Sequence, residues 1–361
     1  MDKFAYMEKY DYEQLCLFQD KDTGLKAIVC LHSTVLGPGL GGTRVWNYAD
    51  EEEAIEDVLR LARGMTYKNA MAGLPLGGGK AVVIADSKEL NKDSVRREAF
   101  WRAFGRFVEG LSGRYITAMD MNTTVDDMAY IHAETNNVAC LPGRSGTPSP
   151  FTALGVYRSI LACVKHVYGE ESVAGKRVLV QGLGSVGYSL CERLHEGRAQ
   201  LLVSDINEEV VEKAVAQFGA IKVDVDKIAA ADCDIYAPCA MGAVVNDETI
   251  PQFKCKIICG GANNILKDAA VHGQAIRDRG IVCAPDYVVN AGGVINVAHE
   301  LVEGGYNEEA ATRDVMRIYE RIVEVLRVSD ETGKPPHEVA DAMAEARVAA
   351  IKKIKGISLG N

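Results

Sequence analysis

Two lysines stand close to a run of three glycines in the N-terminal part of the chain. Lys80 follows directly on Gly77, Gly78 and Gly79, and Lys68 precedes the run. Because glycines carry no side chain, a substrate could lie against this backbone, within reach of the terminal amine of Lys80. A neutral lysine amine can act as a general base, although an ordinary lysine, with a pKa of about 10.4, is protonated at neutral pH. The pattern predicts a catalytic lysine.

A second glycine pattern, Gly182-Leu183-Gly184-Ser185-Val186-Gly187, lies between a predicted strand and a predicted helix. Such glycines let a dinucleotide pyrophosphate approach the N-terminus of the helix, whose partial positive charge favours the anion. Asp205 stands about 20 positions further on, at the end of the next predicted strand, where it can accept hydrogen bonds from a ribose diol. Residues 206–209 include no arginine that could bind a 2′-phosphate. The motif therefore predicts a site for NAD rather than NADP, formed by Gly182, Gly184, Ser185, Val186, Gly187 and Asp205.

Capping patterns locate the elements that must position the first group of side chains. A capping residue at Asp50 begins a helix that leads the chain towards Lys68. Residues 114–118 are predicted as a short strand, and Thr124 caps the helix that follows. Asp120 therefore lies at a strand-to-helix turn, from which side chains often point into a site. Helix capping by Asp120 is the alternative interpretation.

The chain is predicted to be an α/β protein with two domains separated by a cleft. Residues 141–150 are rich in glycine and proline and separate two long regions of patterned hydrophobicity. Beyond them, apolar strands alternate with helices, which predicts a mostly parallel sheet covered on both faces. We assign residues 148–331 to a Rossmann domain that binds NAD.

The composition argues against several classes of partner. A chain of 361 residues with 48% hydrophobic and 25% charged residues suits a globular protein. The formal net charge of −10 repels nucleic acid, and no apolar run reaches the roughly 20 residues that cross a bilayer. The ten cysteines include no Cys-x-x-Cys pair, so we expect no metal, reduced thiols and a cytoplasmic location. No nucleic acid or membrane partner is expected.

Four ordered stretches resemble the amino acid dehydrogenase family that includes glutamate, leucine, phenylalanine and valine dehydrogenases. They are LGPGLGGTR (36–44), RGMTYK (63–68), GGGK (77–80) and APDYVVNAGGVIN (284–296). Within that family, the chain is most similar to the leucine dehydrogenase branch. The resemblance implies NAD-dependent oxidative deamination of leucine, valine or isoleucine to the 2-oxo acid and ammonia, and the reverse reductive amination.

The resemblance also implies roles for matched positions. Lys68 resembles the lysine that binds the substrate carboxylate, Lys80 the lysine that acts as general base through water, and Asp120 the acid that shuttles protons. Thr152 resembles a residue that orients the nicotinamide amide, and Asn264 resembles a neighbour of both substrate and nicotinamide. The other implied substrate-binding positions are Gly42, Met65, Leu40, Ala118, Val294 and Val297.

The pocket positions bear on the choice of amino acid. A substrate whose side chain carries a carboxylate would need a basic partner in the pocket. The matched lining is instead apolar and consists of Leu40, Ala118, Val294 and Val297. This points away from glutamate and towards aliphatic substrates. Met119 and Asn122 depart from the leucine branch, where Glu and Gly are usual. Because Asn122 resembles the aromatic branch, a phenylalanine or other aromatic amino acid dehydrogenase is the alternative.

The family resemblance further implies a homo-oligomer, in its leucine branch an octamer. The substrate-binding and oligomerisation domain would comprise residues 1–147, completed by C-terminal helices within 332–361. A non-catalytic NAD-sensing protein is a less favoured alternative, since it would lose the lysine pair that is present here. A hydroxy acid dehydrogenase would need a histidine and acid pair near the nicotinamide, and the sequence offers no evident one.

Overall fold

The computed structural model of the chain describes residues 2–90, 92–240 and 242–355. They form two compact units. The first comprises the described residues up to Gly146, together with Val297–Asn307 and the residues from Ala344 onward; the second comprises Thr147–Asn296 and Glu308–Met343. The predicted functional domains, 1–147 with 332–361 and 148–331, stay a prediction. Residues 1, 91, 241 and 356–361 within them lie outside the described part.

The first unit contains a mixed sheet, with strands β1–β6 in the order β1-β2-β5-β3-β6 and β4 also paired with β5. Strand β2 pairs antiparallel with both β1 and β5. Strand β3 pairs in parallel with β5 and β6, and β4 pairs in parallel with β5. The elements in chain order are α1 (Lys3–Lys9), β1 (Gln14–Asp20), β2 (Leu25–Ser33), β3 (Gly39–Leu40), β4 (Thr43–Trp46), α2 (Glu51–Met71), β5 (Gly77–Ile84), α3 (Ser87–Leu90), α4 (Ser94–Glu109), β6 (Tyr115–Ile116) and α5 (Val125–His132).

Helices cover both faces of this sheet because its strands are apolar on both sides. Ile28 and Val82 pack with Val58 of α2 on one face. Val83 packs with Trp101 of α4 on the other face. Successive side chains of a strand point to opposite faces, so residues of β5 alternate between the two helices.

The second unit contains a wholly parallel sheet in the order β12-β11-β10-β7-β8-β9. Its elements, and the helices that follow, are α6 (Ser149–Tyr168), β7 (Arg177–Gln181), α7 (Ser185–Glu196), β8 (Gln200–Ser204), α8 (Glu208–Phe218), β9 (Ile221–Lys222), β10 (Ile235–Pro238), β11 (Ile257–Ile258), α9 (Ala269–Asp278), β12 (Val282–Cys283), α10 (Asp286–Val289), α11 (Gly292–Ala298), α12 (Glu308–Met316), α13 (Ile318–Thr332) and α14 (Pro336–Lys355). Counted from β7, the strand order is the 3-2-1-4-5-6 of the Rossmann fold. The predicted parallel sheet and fold class are confirmed.

Helix α2 differs from the sequence prediction. Helix α2 continues through Lys68 to Met71 rather than ending before that lysine. After residue 307, Arg317 separates α12 from α13.

Three general properties concern the described part of the chain as a whole. No described helix is long and apolar enough to span a membrane. All ten cysteines are free thiols. Among the described residues, no group of three or more His, Cys, Asp or Glu side chains is placed to hold a metal ion.

Candidate active site

Helix α2 positions Met65 and Lys68 near its C-terminal end. Asp50 caps its N-terminus by accepting a hydrogen bond from the Glu53 backbone N–H at 2.9 Å. The side chain of Glu53 accepts in return from the N–H of Ala49 at 2.7 Å. Capping satisfies backbone donors that the first turn leaves free, which fixes where the helix begins and so the register of its last turns.

Helix α14 holds the other end of α2. Arg347 donates to the backbone oxygens of Ala70 and Leu74, at 2.5 and 2.9 Å. The hydroxyl of Tyr67 donates to the Glu345 carboxylate at 2.5 Å. An arginine beside the last carbonyl groups of a helix complements the negative end of the helix dipole. The C-terminal helix therefore fixes the turn of α2 that carries Lys68.

The three glycines of β5 are needed for close packing. A Cβ atom on Gly77 would lie 2.0 Å from the Ser33 oxygen, and one on Gly78 would lie 2.1 Å from Thr66 Oγ1. On the opposite face, a Cβ on Gly79 would lie 2.8 Å from the Tyr115 ring. The expectation that this run lies open for a substrate is therefore wrong, because protein atoms fill each side-chain position.

Lys80 forms a buried ion pair with Asp120. Lys80 leaves β5 on the α2 face and is only 6% exposed, and its Nζ atom lies 2.6 Å from Oδ2 of Asp120. Asp120 stands in the turn after β6, where its backbone N–H donates to Thr123 Oγ1 at 2.8 Å. Thr124, not Asp120, is the N-cap of α5. The capping interpretation of Asp120 is therefore wrong, and its carboxylate is available to Lys80.

A second cation reaches the same carboxylate oxygen. Arg44 of β4 places its Nε atom 3.3 Å from Oδ2 of Asp120 and its Nη1 atom 3.0 Å from Oδ2 of Asp57. Burial alone would raise the pKa of Asp120, but the charges of Lys80 and Arg44 outweigh it and lower the pKa below its usual value. Asp120 is thus an anion at neutral pH.

Gly42 and four other predicted substrate residues belong to the first unit. A Cβ atom on Gly42 would lie 2.9 Å from that of Asp120, so no side chain fits at Gly42. Leu40, Ala118 and Val297 are buried, and the last two belong to one apolar cluster. Met65 is partly buried.

Asn122 has a backbone conformation that accounts for its residue type. Its φ angle of 61° lies in the left-handed region, where glycine is favoured and asparagine is among the best tolerated other residues. Its Nδ2 atom donates to the Val45 oxygen at 2.9 Å. The backbone conformation of the turn therefore accounts for asparagine at this position, and no aromatic pocket is needed to explain it.

The glycine-rich turn of the second unit fits a dinucleotide. Gly182 has a φ of 90°, and a Cβ atom on Gly187 would lie 1.8 Å from its oxygen. A Cβ atom on Gly184 would meet nothing within 4 Å, which leaves room for a pyrophosphate. Gly184 is also the N-cap of α7, so no side chain caps the first N–H groups around Ser185 and Val186. These groups suit an anion.

Asp205 lies at the end of β8 as predicted. Its Oδ2 atom accepts from the N–H of Leu183 at 2.6 Å, and its Oδ1 atom accepts from the N–H of Asn207 at 2.8 Å. Each carboxylate oxygen has a further lone pair that can accept from a ribose hydroxyl. Asp205 therefore joins the glycine-rich turn to the predicted ribose site.

The remaining predicted residues belong to the second unit. Thr152 donates from Oγ1 to the Pro148 oxygen at 3.1 Å. Asn264 is exposed with a left-handed φ of 52°, and Val294 is partly buried. Their predicted roles towards substrate and nicotinamide stay predictions.

Two features were missed by sequence reasoning. The first is Arg44, the last residue of the LGPGLGGTR stretch, which contacts Asp120 directly. Asn290, within APDYVVNAGGVIN, is 6% exposed; its Nδ2 atom donates to Asn263, and its Oδ1 atom has no hydrogen-bond partner among the described residues. A buried acceptor without a protein partner commonly binds water or a ligand.

The second unit has a Rossmann sheet with a glycine-rich turn that suits a dinucleotide, and the first unit has a buried lysine–aspartate pair. These features are typical of an oxidoreductase that uses a nicotinamide dinucleotide. Residues 13–137 match the profile of the Glu/Leu/Phe/Val dehydrogenase dimerisation domain, and residues 208–356 match that of glutamate/leucine/phenylalanine/valine dehydrogenase. The chain belongs to this family of amino acid dehydrogenases.

Individual relatives show how similar the chain is to different members. It is 55% identical over 359 residues to leucine dehydrogenase of Thermoactinomyces intermedius, covering 99% of this chain and 96% of the relative. It is 43% identical to phenylalanine dehydrogenase of Bacillus thermotolerans, covering 97% and 92%. The crystal structure of L-tryptophan dehydrogenase from Nostoc punctiforme superposes with a TM-score of 0.84 at 42% identity, covering 97% of this chain and 99% of that one.

Proposed function

We propose that this protein catalyses the NAD-dependent oxidative deamination of L-leucine and of the related amino acids valine and isoleucine, and the reverse reductive amination. The observation that carries the proposal is the buried ion pair between Lys80 and Asp120. It supplies the base and the proton carrier that deamination requires. The 55% identity to a leucine dehydrogenase supports the choice of amino acid.

Lys68 and Lys80 have separate tasks in this proposal. The ammonium group of Lys68 binds the substrate carboxylate, and the end of α2, held by Arg347, fixes its position. The α-amine of the substrate must be neutral for a hydride to leave the α-carbon, and the bound cofactor supplies the acceptor for that hydride. Lys80, in its neutral amine form, then takes a proton from the water that attacks the resulting iminium carbon and so becomes an ammonium.

Asp120 completes the proton transfers. Attack by water gives a carbinolamine, whose nitrogen must gain a proton before the carbon–nitrogen bond breaks and ammonia leaves. Asp120, 2.6 Å from Lys80, exchanges protons with the lysine and delivers one to the leaving nitrogen. Lys80, neutral again after that transfer, accepts the proton of the carbinolamine hydroxyl as the carbon–nitrogen bond breaks and the 2-oxo acid forms.

The pocket chemistry supports an aliphatic substrate. The proposed lining, Leu40, Ala118, Val294 and Val297, contains no basic residue, so a glutamate side chain would lose its hydration without gaining a partner. Asn122, the residue that suggested an aromatic preference, fits its left-handed backbone conformation. The identity to a phenylalanine dehydrogenase, 43%, is also lower than the 55% identity to a leucine dehydrogenase.

The test is NADH production by the purified protein with NAD and, separately, L-leucine, L-valine, L-isoleucine, L-phenylalanine, L-tryptophan and L-glutamate. We expect the highest kcat/KM with a branched-chain substrate. In Lys80→Ala, kcat/KM for that substrate should fall by about 100-fold or more. Lys92→Ala, which removes an exposed lysine paired with Glu89, is the control for loss of a lysine outside the site and should act like wild type. Highest efficiency with phenylalanine or tryptophan would overturn the specificity, and no NADH with any substrate would overturn the activity.

We also propose that the cofactor is NAD. The Asp205 carboxylate would repel a 2′-phosphate, and the segment after it contains no arginine to bind one. We expect Asp205→Asn, which keeps an oxygen acceptor but loses the charge, to weaken NADH binding and strengthen NADPH binding in fluorescence titrations. Equal affinity of the wild type for both would count against the choice of NAD.

The assembly and location are part of the same proposal. The matched dimerisation domain at residues 13–137 supports a homo-oligomer, and the resemblance to the leucine branch favours an octamer. Light scattering coupled to gel filtration should give eight times the mass of one chain. The ten free thiols suit the reducing cytoplasm.

A further inference from the structure

Lys80 and Asp120 are the end of a longer chain of charged contacts in the first unit. The Tyr48 hydroxyl donates to Asp57 at 2.7 Å, and Asp57 accepts from Arg44 at 3.0 Å. Arg44 in turn reaches Asp120 at 3.3 Å. Arg60 is the remaining charged group on Asp57, at 2.7 Å. The residues come from β4, the segment after it, α2, β5 and the turn after β6.

We propose that Arg44, anchored by Asp57, is a positioning residue that holds the Asp120 carboxylate in place and keeps it ionised for its proton exchange with Lys80. The inference rests on the proposed function, in which Asp120 carries protons. Nothing in the proposed reaction requires Arg44 to touch the substrate.

The geometry argues for more than a structural ion pair. Nε of Arg44 faces Asp120 while Nη1 faces Asp57, so one planar guanidinium is oriented by two carboxylates. Lysine, a point charge on a flexible stem, cannot reproduce this bridge. Arg44 and Lys80 also share one oxygen, Oδ2 of Asp120.

The permanent charge of Arg44 keeps a cation beside Asp120 throughout the reaction. A lysine can release its proton during catalysis, whereas an arginine does not. When Lys80 becomes neutral, Arg44 is the cation that still stabilises the Asp120 anion. Without Arg44, Asp120 would gain a proton at a higher pH and would lose the contact that orients it.

Arg44 also borders a cavity of about 720 Å³. Its lining includes Tyr48, Asp57 and Arg60 from the same chain of contacts, and its other charged groups are Glu53 and Glu56. A small cation could therefore reach the place that the guanidinium occupies. This makes chemical rescue a practical test of position rather than of stability alone.

The experiment compares Arg44→Ala with Arg97→Ala in the NADH assay. The two arginines are matched, since their side chains are 18% and 19% exposed and each pairs with an aspartate, Arg97 with Asp127 at 2.7 Å. We expect Arg44→Ala to lower kcat about 10- to 100-fold with little change in KM for leucine. The acid limb of its kcat/KM profile should move to higher pH, because Asp120 must stay ionised. Arg97→Ala should keep the wild-type profile.

Guanidinium ion at millimolar concentration should restore part of the kcat of Arg44→Ala and none in Arg97→Ala. The inference is overturned if Arg44→Ala keeps the wild-type pH profile, or if guanidinium acts equally on both variants. Should Arg44→Ala fail to fold, Arg44→Lys decides: a lowered kcat with a near-normal acid limb supports the inference, and unchanged kcat overturns it. Wild-type enzyme run in parallel shows separately whether the proposed reaction itself takes place.

Discussion

Nζ of Lys80 lies 2.6 Å from Oδ2 of Asp120, although β5 carries the lysine and the turn after β6 carries the aspartate. The two strands are not neighbours in the sheet, since β3 lies between them. The pairing therefore depends on the close approach of three strands. Gly79 permits it, because any side chain there would collide with Tyr115 of β6.

The ion pair predicts a pH-dependent stability. Asp120→Asn leaves the buried Lys80 without its anion and should lower the free energy of unfolding by about 3 kcal/mol at neutral pH. Because the native pKa of Asp120 is below its usual value, the stabilisation is fully present above a pH of about 4. It is lost as pH falls through the native pKa.

Urea unfolding of wild type and Asp120→Asn at several pH values measures this difference, which should be largest near neutrality and shrink in acid. Glu89→Gln is the control, since it breaks an exposed pair with Lys92 and should cost less than about 1 kcal/mol. If Asp120→Asn and Glu89→Gln were equally stable at pH 7, the prediction would be contradicted.

Two glycines of the cofactor turn should respond differently to alanine. Gly184→Ala adds a methyl group that meets no protein atom within 4 Å, so the thermal midpoint should hardly change. The same methyl group would occupy space for the pyrophosphate, and we expect about a tenfold weaker affinity for NADH.

Gly187→Ala would bring a Cβ atom 1.8 Å from the Gly182 oxygen, so this variant should lose thermal stability before any ligand is added. Thermal unfolding and NADH fluorescence titration separate the two effects. A similar loss of stability in both variants would show that Gly184 is also a packing residue.

Substrate preference should depend on Ala118 and not on Asn122. Asn122→Gly suits the left-handed φ of 61° and should keep the leucine-to-phenylalanine ratio of kcat/KM within about threefold of wild type. Ala118→Gly enlarges the proposed pocket and should shift that ratio towards phenylalanine by about tenfold. The ratio is measured by NADH production with both amino acids. A large shift in Asn122→Gly alone would restore the aromatic interpretation.

Glu300 should be among the most important buried side chains for stability. It accepts hydrogen bonds from the backbone N–H groups of Cys140, Leu141 and Ser145, at 3.1, 3.3 and 3.2 Å, and from the Ser145 hydroxyl. Glu300→Ala would remove the acceptor of these four hydrogen bonds and should cost about 3 kcal/mol or more in urea unfolding. Glu303→Ala, an exposed position in the same segment, should be nearly neutral; a comparable loss there would contradict the role of Glu300.

Much of the fold follows from local sequence. Asp50 and Thr124 cap helices where their spacing predicts caps, and the alternation of apolar strands and helices after residue 150 predicts the parallel sheet. These features depend on residues close together in the chain, so periodicity and capping chemistry are sufficient to find them. The resemblance of four motifs was likewise enough to identify the family.

The site needed the tertiary structure because its contacts join distant parts of the chain. The sequence by itself determined which residue types were available, namely two lysines, a turn aspartate and a glycine run that carries no side chains. Folding decided that Lys80 pairs with Asp120, that Arg44 bridges Asp120 to Asp57, and that protein atoms fill the space beside the glycines. Ion pairs and close packing depend on distances between atoms, and spacing along a chain does not specify distances between strands that come together only when it folds.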